Sequence, residues 1–140
     1  MPGVEAYRHL VEARAGGACE YCRLLQAATG VTFHLEHVAP RSRGGETQLN
    51  NLALSCPGCN LAKGDRATGE DSSGKTQTLF NPRDYEPWLL GWHLHFALEN
   101  ASGMIIPRTE VGEATVNTLH VNDSLRLFAR RLQISVGLLA

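Results

Sequence analysis

Between residues 33 and 45 the chain reads FHLEHVAPRSRGG, which crowds His34, Glu36 and His37 into four positions. An imidazole with its ordinary pKa near 6.5 is mostly neutral at pH 7 and can take a proton. A carboxylate offers oxygen to a hard divalent ion. On a strand, neighbours point to opposite faces and alternate residues share one, so His34 and Glu36 would lie on one side and His37 on the other. This stretch lies between two cysteine pairs, Cys19-x2-Cys22 and Cys56-x2-Cys59, with 33 residues separating the pairs. Four thiolates on two such knuckles suit one tetrahedral zinc ion, with no position left open for chemistry. A redox pair, or four buried thiols, would leave the repeated spacing unexplained. The opening MPGVEAYRHLVEARAGG lacks the basic-then-apolar layout of a secretory signal. A reducing, cytoplasmic setting is therefore expected, and with it metal rather than disulfides.

The elements that must position these groups are legible in outline. A chain of 140 residues with 43% hydrophobic content can bury one sizeable core. No run approaches the 18 or more apolar residues of a membrane span. Val4, Tyr7, Leu10 and Val11 recur at helical spacing until Gly16-Gly17, which predicts a helix over 3–15. VTFHLEH (31–37) reads as a strand, PRSRGGETQLNN as a polar loop, LALS (52–55) as a second strand, and CPGCNLAKG as a knuckle entering a short helix that stops at Gly64. Residues 67–75 are rich in Gly, Ser, Thr and charge and read as an exposed linker, extended to 67–80 in the domain division. Beyond it WHLHFAL alternates as a strand would, ENASG reads as a turn and MIIP as a returning strand. DSLRLFARRLQIS is helical in period, with Asn122 as its candidate cap. The expected class is α+β. Segment 1–66 holds the core, and 81–140 an α+β extension packed on it.

Taken together, CEYC, HLEHVAPRSRGG, NNLALSCPGCN and LAKG resemble the HNH endonuclease family, from Cys19 to Arg66. Asn51 lies nine positions before Asn60, as the middle and last motif residues of that family commonly do. LFNPR and GEATVNTLHVN also look like the tails of stand-alone bacterial members. The resemblance implies a ββα-metal core, here stapled by a four-cysteine zinc site, that hydrolyses phosphodiester bonds. It makes His37 the general base, gives Glu36 and Asn60 a catalytic divalent ion, and lets Asn51 steady the loop that aims the histidine. Glu36 stands where an aspartate is common in the family. Residue types alone agree: phosphodiester hydrolysis requires a deprotonated water and a cation to absorb charge on the phosphoryl group. An oxygen-rich pair, Glu36 and Asn60, points to Mg²⁺ or Mn²⁺. His34 is a further candidate, as ligand, phosphate donor or support for a ligand.

Arg41, Arg43, Lys63 and Arg66 are the candidate contacts to a DNA backbone, or to RNA by the same chemistry. Trp88, Trp92 and Phe96 are expected in the core, His93 and His95 on one strand face. Arg126, Arg130 and Arg131 read as a solvated helix face or a basic surface for DNA. The formal charge is −1, and four thiolates around one Zn²⁺ would take it to −3. That is far from the basic surface of a strong non-specific DNA binder, so affinity must rest on a local patch or on a targeting partner or dimer. The competing reading is a zinc-stapled binding module whose catalysis has lapsed.

Overall fold

In the computed structural model, which describes residues 3–140, the chain opens with a 3₁₀ turn over Val4–Tyr7 and continues as helix α1, Arg8–Ala15. Met1 and Pro2 of the expected 1–66 segment lie outside the described residues. α1 ends at Gly16, whose φ of 65° is left-handed, and its buried Val11 and Ala15 face the central hairpin. The first knuckle follows, closed by an isolated bridge between Ala18 and Leu25. Next comes a single helical turn, α2, Gln26–Thr29.

Strand β1, His34–His37, pairs antiparallel with β2, Leu52–Ser55, in the register His34 to Ser55 and His37 to Leu52. All four residues of β2 are buried, which agrees with its unbroken LALS sequence. Cys56 caps helix α3, Pro57–Lys63, by accepting from Cys59 N–H, and Pro57 sits in the first turn, where its missing N–H costs nothing. Hairpin and helix together make the expected ββα unit. The first strand is shorter than read, since only 34–37 of VTFHLEH pair.

Three further segments depart from the sequence reading. The linker expected at 67–75 is a hairpin of β3, Thr68–Glu70, and β4, Thr76–Thr78. Its turn is organised by Asp71, whose Oδ1 accepts from the backbone of Ser73 (2.9 Å) and Lys75 (3.0 Å), while Glu113 accepts from Ser72 N–H. Polar turn residues here bond to one another rather than to solvent. WHLHFAL is not one strand. Residues Trp88–His95 form helix α4 and only Phe96–Leu98 extend, as β5, to pair with β6, Ile105–Pro107. Trp88 and Trp92, both buried, are four apart and share a helix face, so the alternation was accidental. His95 hydrogen-bonds Thr109 Oγ1 through Nδ1 and Tyr85 through Nε2, a structural pairing on a helix end and not a strand-face pair with His93. Helix α5, Glu110–Leu119, capped by Thr109, fills a segment the periodicity did not single out.

The last helix, α6, Ser124–Ser135, is capped by Asp123 and not by Asn122, which instead brackets Ile105 N–H and C=O. Its orientation overturns both readings for Arg126 and Arg130, while Arg131 is exposed as a solvated face requires. Arg126, Arg130 and Gln133 face inward, while Leu125, Phe128 and Leu132 are exposed. The aromatic core spans both halves of the chain: Trp92 Nε1 donates to the carbonyl of Tyr21 at 2.9 Å, and Phe80 packs edge-on to Tyr21 and Phe96.

Candidate active site and metal centre

The four cysteine sulfurs converge. All lie within 4.8 Å of one another, with Cys22 and Cys56 Sγ 3.5 Å apart, and each residue is 2% exposed or less. A zinc at about 2.3 Å from each of four sulfurs sets them about 3.8 Å apart, so the cluster fits a tetrahedral ion. Among the described residues this is the one group of three or more His, Cys, Asp or Glu donors that meets at a point. Burial pushes the thiols of Cys19 and Cys59 well above their ordinary pKa, so a cation is what would hold them as thiolates.

The inward face of α6 supports that charge assignment. Arg126 Nη1 donates to Cys59 Sγ at 3.0 Å, and Gly58 is where a side chain would press into Arg126. Arg130, fully buried, donates among the described residues only to neutral acceptors: Gly103 O, Cys22 O and Asn122 Oδ1. A buried guanidinium without a carboxylate is costly unless another negative charge stands nearby. Four thiolates on Zn²⁺ carry −2 in total, which Arg130 and Arg126, the latter shared with Asp123, would offset in part. Gln133 completes the contact by accepting from Leu25 N–H in the first knuckle.

At the end of β1 the motif residues meet in an open pocket of about 420 Å³, lined by His34, Glu36, His37, Arg41, Asn60 and Asp65 among others. Strand β1 delivers Glu36 and His37, and α3 delivers Asn60, which makes no side-chain hydrogen bond among the described residues. His37 Nε2 lies 2.8 Å from Thr47 Oγ1, and Nδ1 has no hydrogen-bond partner among the described residues. Desolvation, then Arg41 and Lys63, lower the pKa of His37, so the ring stays neutral at pH 7. Asn51 clamps the loop between: its Oδ1 accepts from Ala39 N–H at 2.8 Å and its Nδ2 donates to the carbonyls of Ala39 (3.0 Å) and Glu46 (2.9 Å). Gly45 is required there, because a Cβ would overlap the Ala39 carbonyl oxygen.

Glu36 is 6% exposed and Lys63 1%, and their charged groups are 2.6 Å apart. The contact is a charge pair without hydrogen-bond alignment. Lys63 Nζ donates to the carbonyls of Val38 (2.9 Å) and His37 (3.3 Å), and among the described residues neither oxygen of Glu36 receives a hydrogen bond. Burial raises the Glu36 pKa, and Lys63 only partly opposes this. Beside it the Tyr21 phenol, buried and also without a hydrogen-bond partner, is pushed well up by burial and by the Glu36 charge. Lys63 is therefore not the exposed phosphate contact that its sequence position suggested. Arg41, Arg43 and Arg66 are exposed as expected. Arg43 donates to Asp65 O and Arg66 to Ala62 O, whereas Arg41 has no side-chain partner among the described residues. His34 is exposed at the pocket rim and joins no three-donor cluster. Sequence reasoning missed Thr47, Asp65 and Tyr21. A hydroxyl ten positions from its histidine, in a loop of polar residues, carries no periodic or spacing signal.

A larger hollow, about 700 Å³, lies where α3 meets α5 and α6, but the cation lining it, Arg126, is engaged by Asp123, Leu119 O and His120 O. Among the described residues no helix is long and apolar enough to cross a membrane. Residues 19–66 match the family model described as HNH endonuclease. No curated protein and no solved structure matches the chain.

Proposed function

We propose that this chain, whose residues 19–66 match the HNH endonuclease family model, is a divalent-cation-dependent endonuclease that hydrolyses phosphodiester bonds in DNA, nicking one strand per event. The observation that carries the reading is the single pocket that collects Glu36, His37, Arg41 and Asn60 at the end of β1. Its donor set fits a hard ion: a carboxylate with both oxygens free of hydrogen bonds, and an uncommitted amide. Mg²⁺ or Mn²⁺ held by Glu36 and Asn60 would supply charge stabilisation at the phosphoryl group. The chain's own residues do the rest. His37 accepts a proton from water at Nδ1, while Thr47 at Nε2 fixes the ring's orientation and tautomer. Asn51 holds the backbone that carries the loop, and Arg41 receives a non-bridging phosphate oxygen. A zinc held by Cys19, Cys22, Cys56 and Cys59 is structural in this reading.

One observation favours the lapsed binding module, namely that Glu36 is already occupied by Lys63. A single experiment separates the two. Purified protein is incubated with supercoiled plasmid and Mg²⁺ or Mn²⁺, beside His37→Ala. Nicking by the wild type, reduced about 10²- to 10⁴-fold in the variant, is expected. Equal cleavage by both would move the base elsewhere, and none by either would leave the module.

A further inference from the structure

The Lys63 ammonium donates two hydrogen bonds, to Val38 O and His37 O, and stands in ion-pair contact with Glu36 Oε1. At 1% exposure no solvent replaces any of them. Glu36 in turn has no other basic group within ion-pair distance among the described residues, and no hydrogen bond at either oxygen. The two sides of this pair open onto different spaces. Glu36 lines the pocket that holds His37 and Asn60. Lys63 instead lines a second hollow of about 250 Å³, together with Asn81 and the exposed Asp84, a carboxylate in no ion pair among the described residues.

We propose that Lys63 is a resident counter-ion that exchanges with the catalytic cation. In the cation-free protein its ammonium holds Glu36. When a divalent ion takes the carboxylate, the ammonium leaves Glu36 and turns toward the hollow that Asp84 lines. The inference rests on the reading of Glu36 as a ligand. Its physical ground is that two cations in contact with one buried carboxylate repel each other unscreened by water, so a divalent ion on Glu36 weakens the hold of the carboxylate on the ammonium. The exchange spares the protein a bare buried carboxylate in either state. It also makes cation binding weaker than the donor set alone would give, because every binding event displaces a cation already there.

Three measurements on the zinc-loaded protein at pH 8 test this. Calorimetric titration with Mg²⁺ should show Lys63→Gln, which keeps reach and hydrogen-bond donors but not charge, binding at least about tenfold more tightly than wild type. In ¹⁵N-lysine NMR of the wild type, the buried Lys63 ammonium signal should move on Mg²⁺ addition with the calorimetric midpoint. That arm stands even if Lys63→Gln does not fold. A Lys63 signal unmoved at saturating Mg²⁺, or equal or weaker binding by folded Lys63→Gln, overturns the exchange. Glu36→Gln separates this failure from that of its premise. If it binds Mg²⁺ as the wild type does, Glu36 is not a ligand and the proposed site itself is wrong. If it loses binding while the wild-type Lys63 signal stays still, only the counter-ion exchange falls.

Discussion

His37 shows how a residue's neighbours decide what it can do. Three influences disfavour its imidazolium form: partial burial, the Arg41 guanidinium and the Lys63 ammonium. A base must be unprotonated to act, so cleavage should persist below the ordinary histidine pKa of 6.5 and fall only as pH drops through the lowered value. Arg41→Glu reverses one of these charges, and the acid limb of the pH–rate profile should move upward. An unmoved limb would mean that the titrating group is not His37. Residue 60 sets a second expectation. Asparagine makes the site oxygen-rich, so Asn60→His should shift the preferred ion from Mg²⁺ or Mn²⁺ toward Ni²⁺ or Zn²⁺ in a metal titration of cleavage. Glu36, His37 and Asn60 were visible in sequence because adjacency and fixed offsets carry their geometry. Lys63 was visible as a charge three residues after Asn60, yet its burial was not, because helical spacing sets direction and says nothing of depth.

At the scale of elements, the ββα unit was readable because its strands and helix are short, punctuated by Pro and Gly, and tied by cysteines at fixed spacing. The C-terminal half was read less well, for a physical reason that α6 makes plain. Its period was correct and its inner face was inverted, since Arg126, Arg130 and Gln133 sit at i, i+4 and i+7 against the cysteine knuckles while leucines and Phe128 face outward. Hydropathy assigns arginine to water, and only a buried anion reverses that assignment. Arg130→Met therefore tests the charge of the cluster. If the cysteines are thiolates on zinc, the variant removes the one of the two cations that has no carboxylate of its own and should cost about 3–5 kcal/mol in denaturant unfolding of the zinc-loaded protein. If the cluster is neutral thiols, a methionine of similar reach should be neutral or stabilising.

Across the whole molecule the formal charge is −1, and the exposed cations near the pocket are few among the described residues: Arg41, Arg43 and Arg66. Binding of duplex DNA should then weaken with salt at a logarithmic slope of about −2 to −3, the value for two or three neutralised phosphates. The last expectation concerns how far the metal centre reaches. Its sulfurs come from a loop after α1 and from the start of α3, and α6 lies against it through Arg126, Arg130 and Gln133. A structural zinc contributes about 10–16 kcal/mol of apparent binding energy, as much as the whole stability of a typical domain. Removing it also strands the buried guanidinium of Arg130, which has no carboxylate partner among the described residues, and takes the thiolate from Arg126, which keeps Asp123. Chelation should therefore unfold the ββα unit and α6 together, in one transition followed equally by far-ultraviolet circular dichroism and by the fluorescence of Trp88 and Trp92, the second of which is hydrogen-bonded to Tyr21 O. The direction with pH is fixed by the thiols: burial raises Cys19 and Cys59, so protons compete better for the sulfurs as pH falls, and the chelator concentration needed should fall with it. Zinc loss that left α6 folded, or a chelation midpoint that rose as pH fell, would mean that the cluster is not the charge on which the C-terminal helix is built.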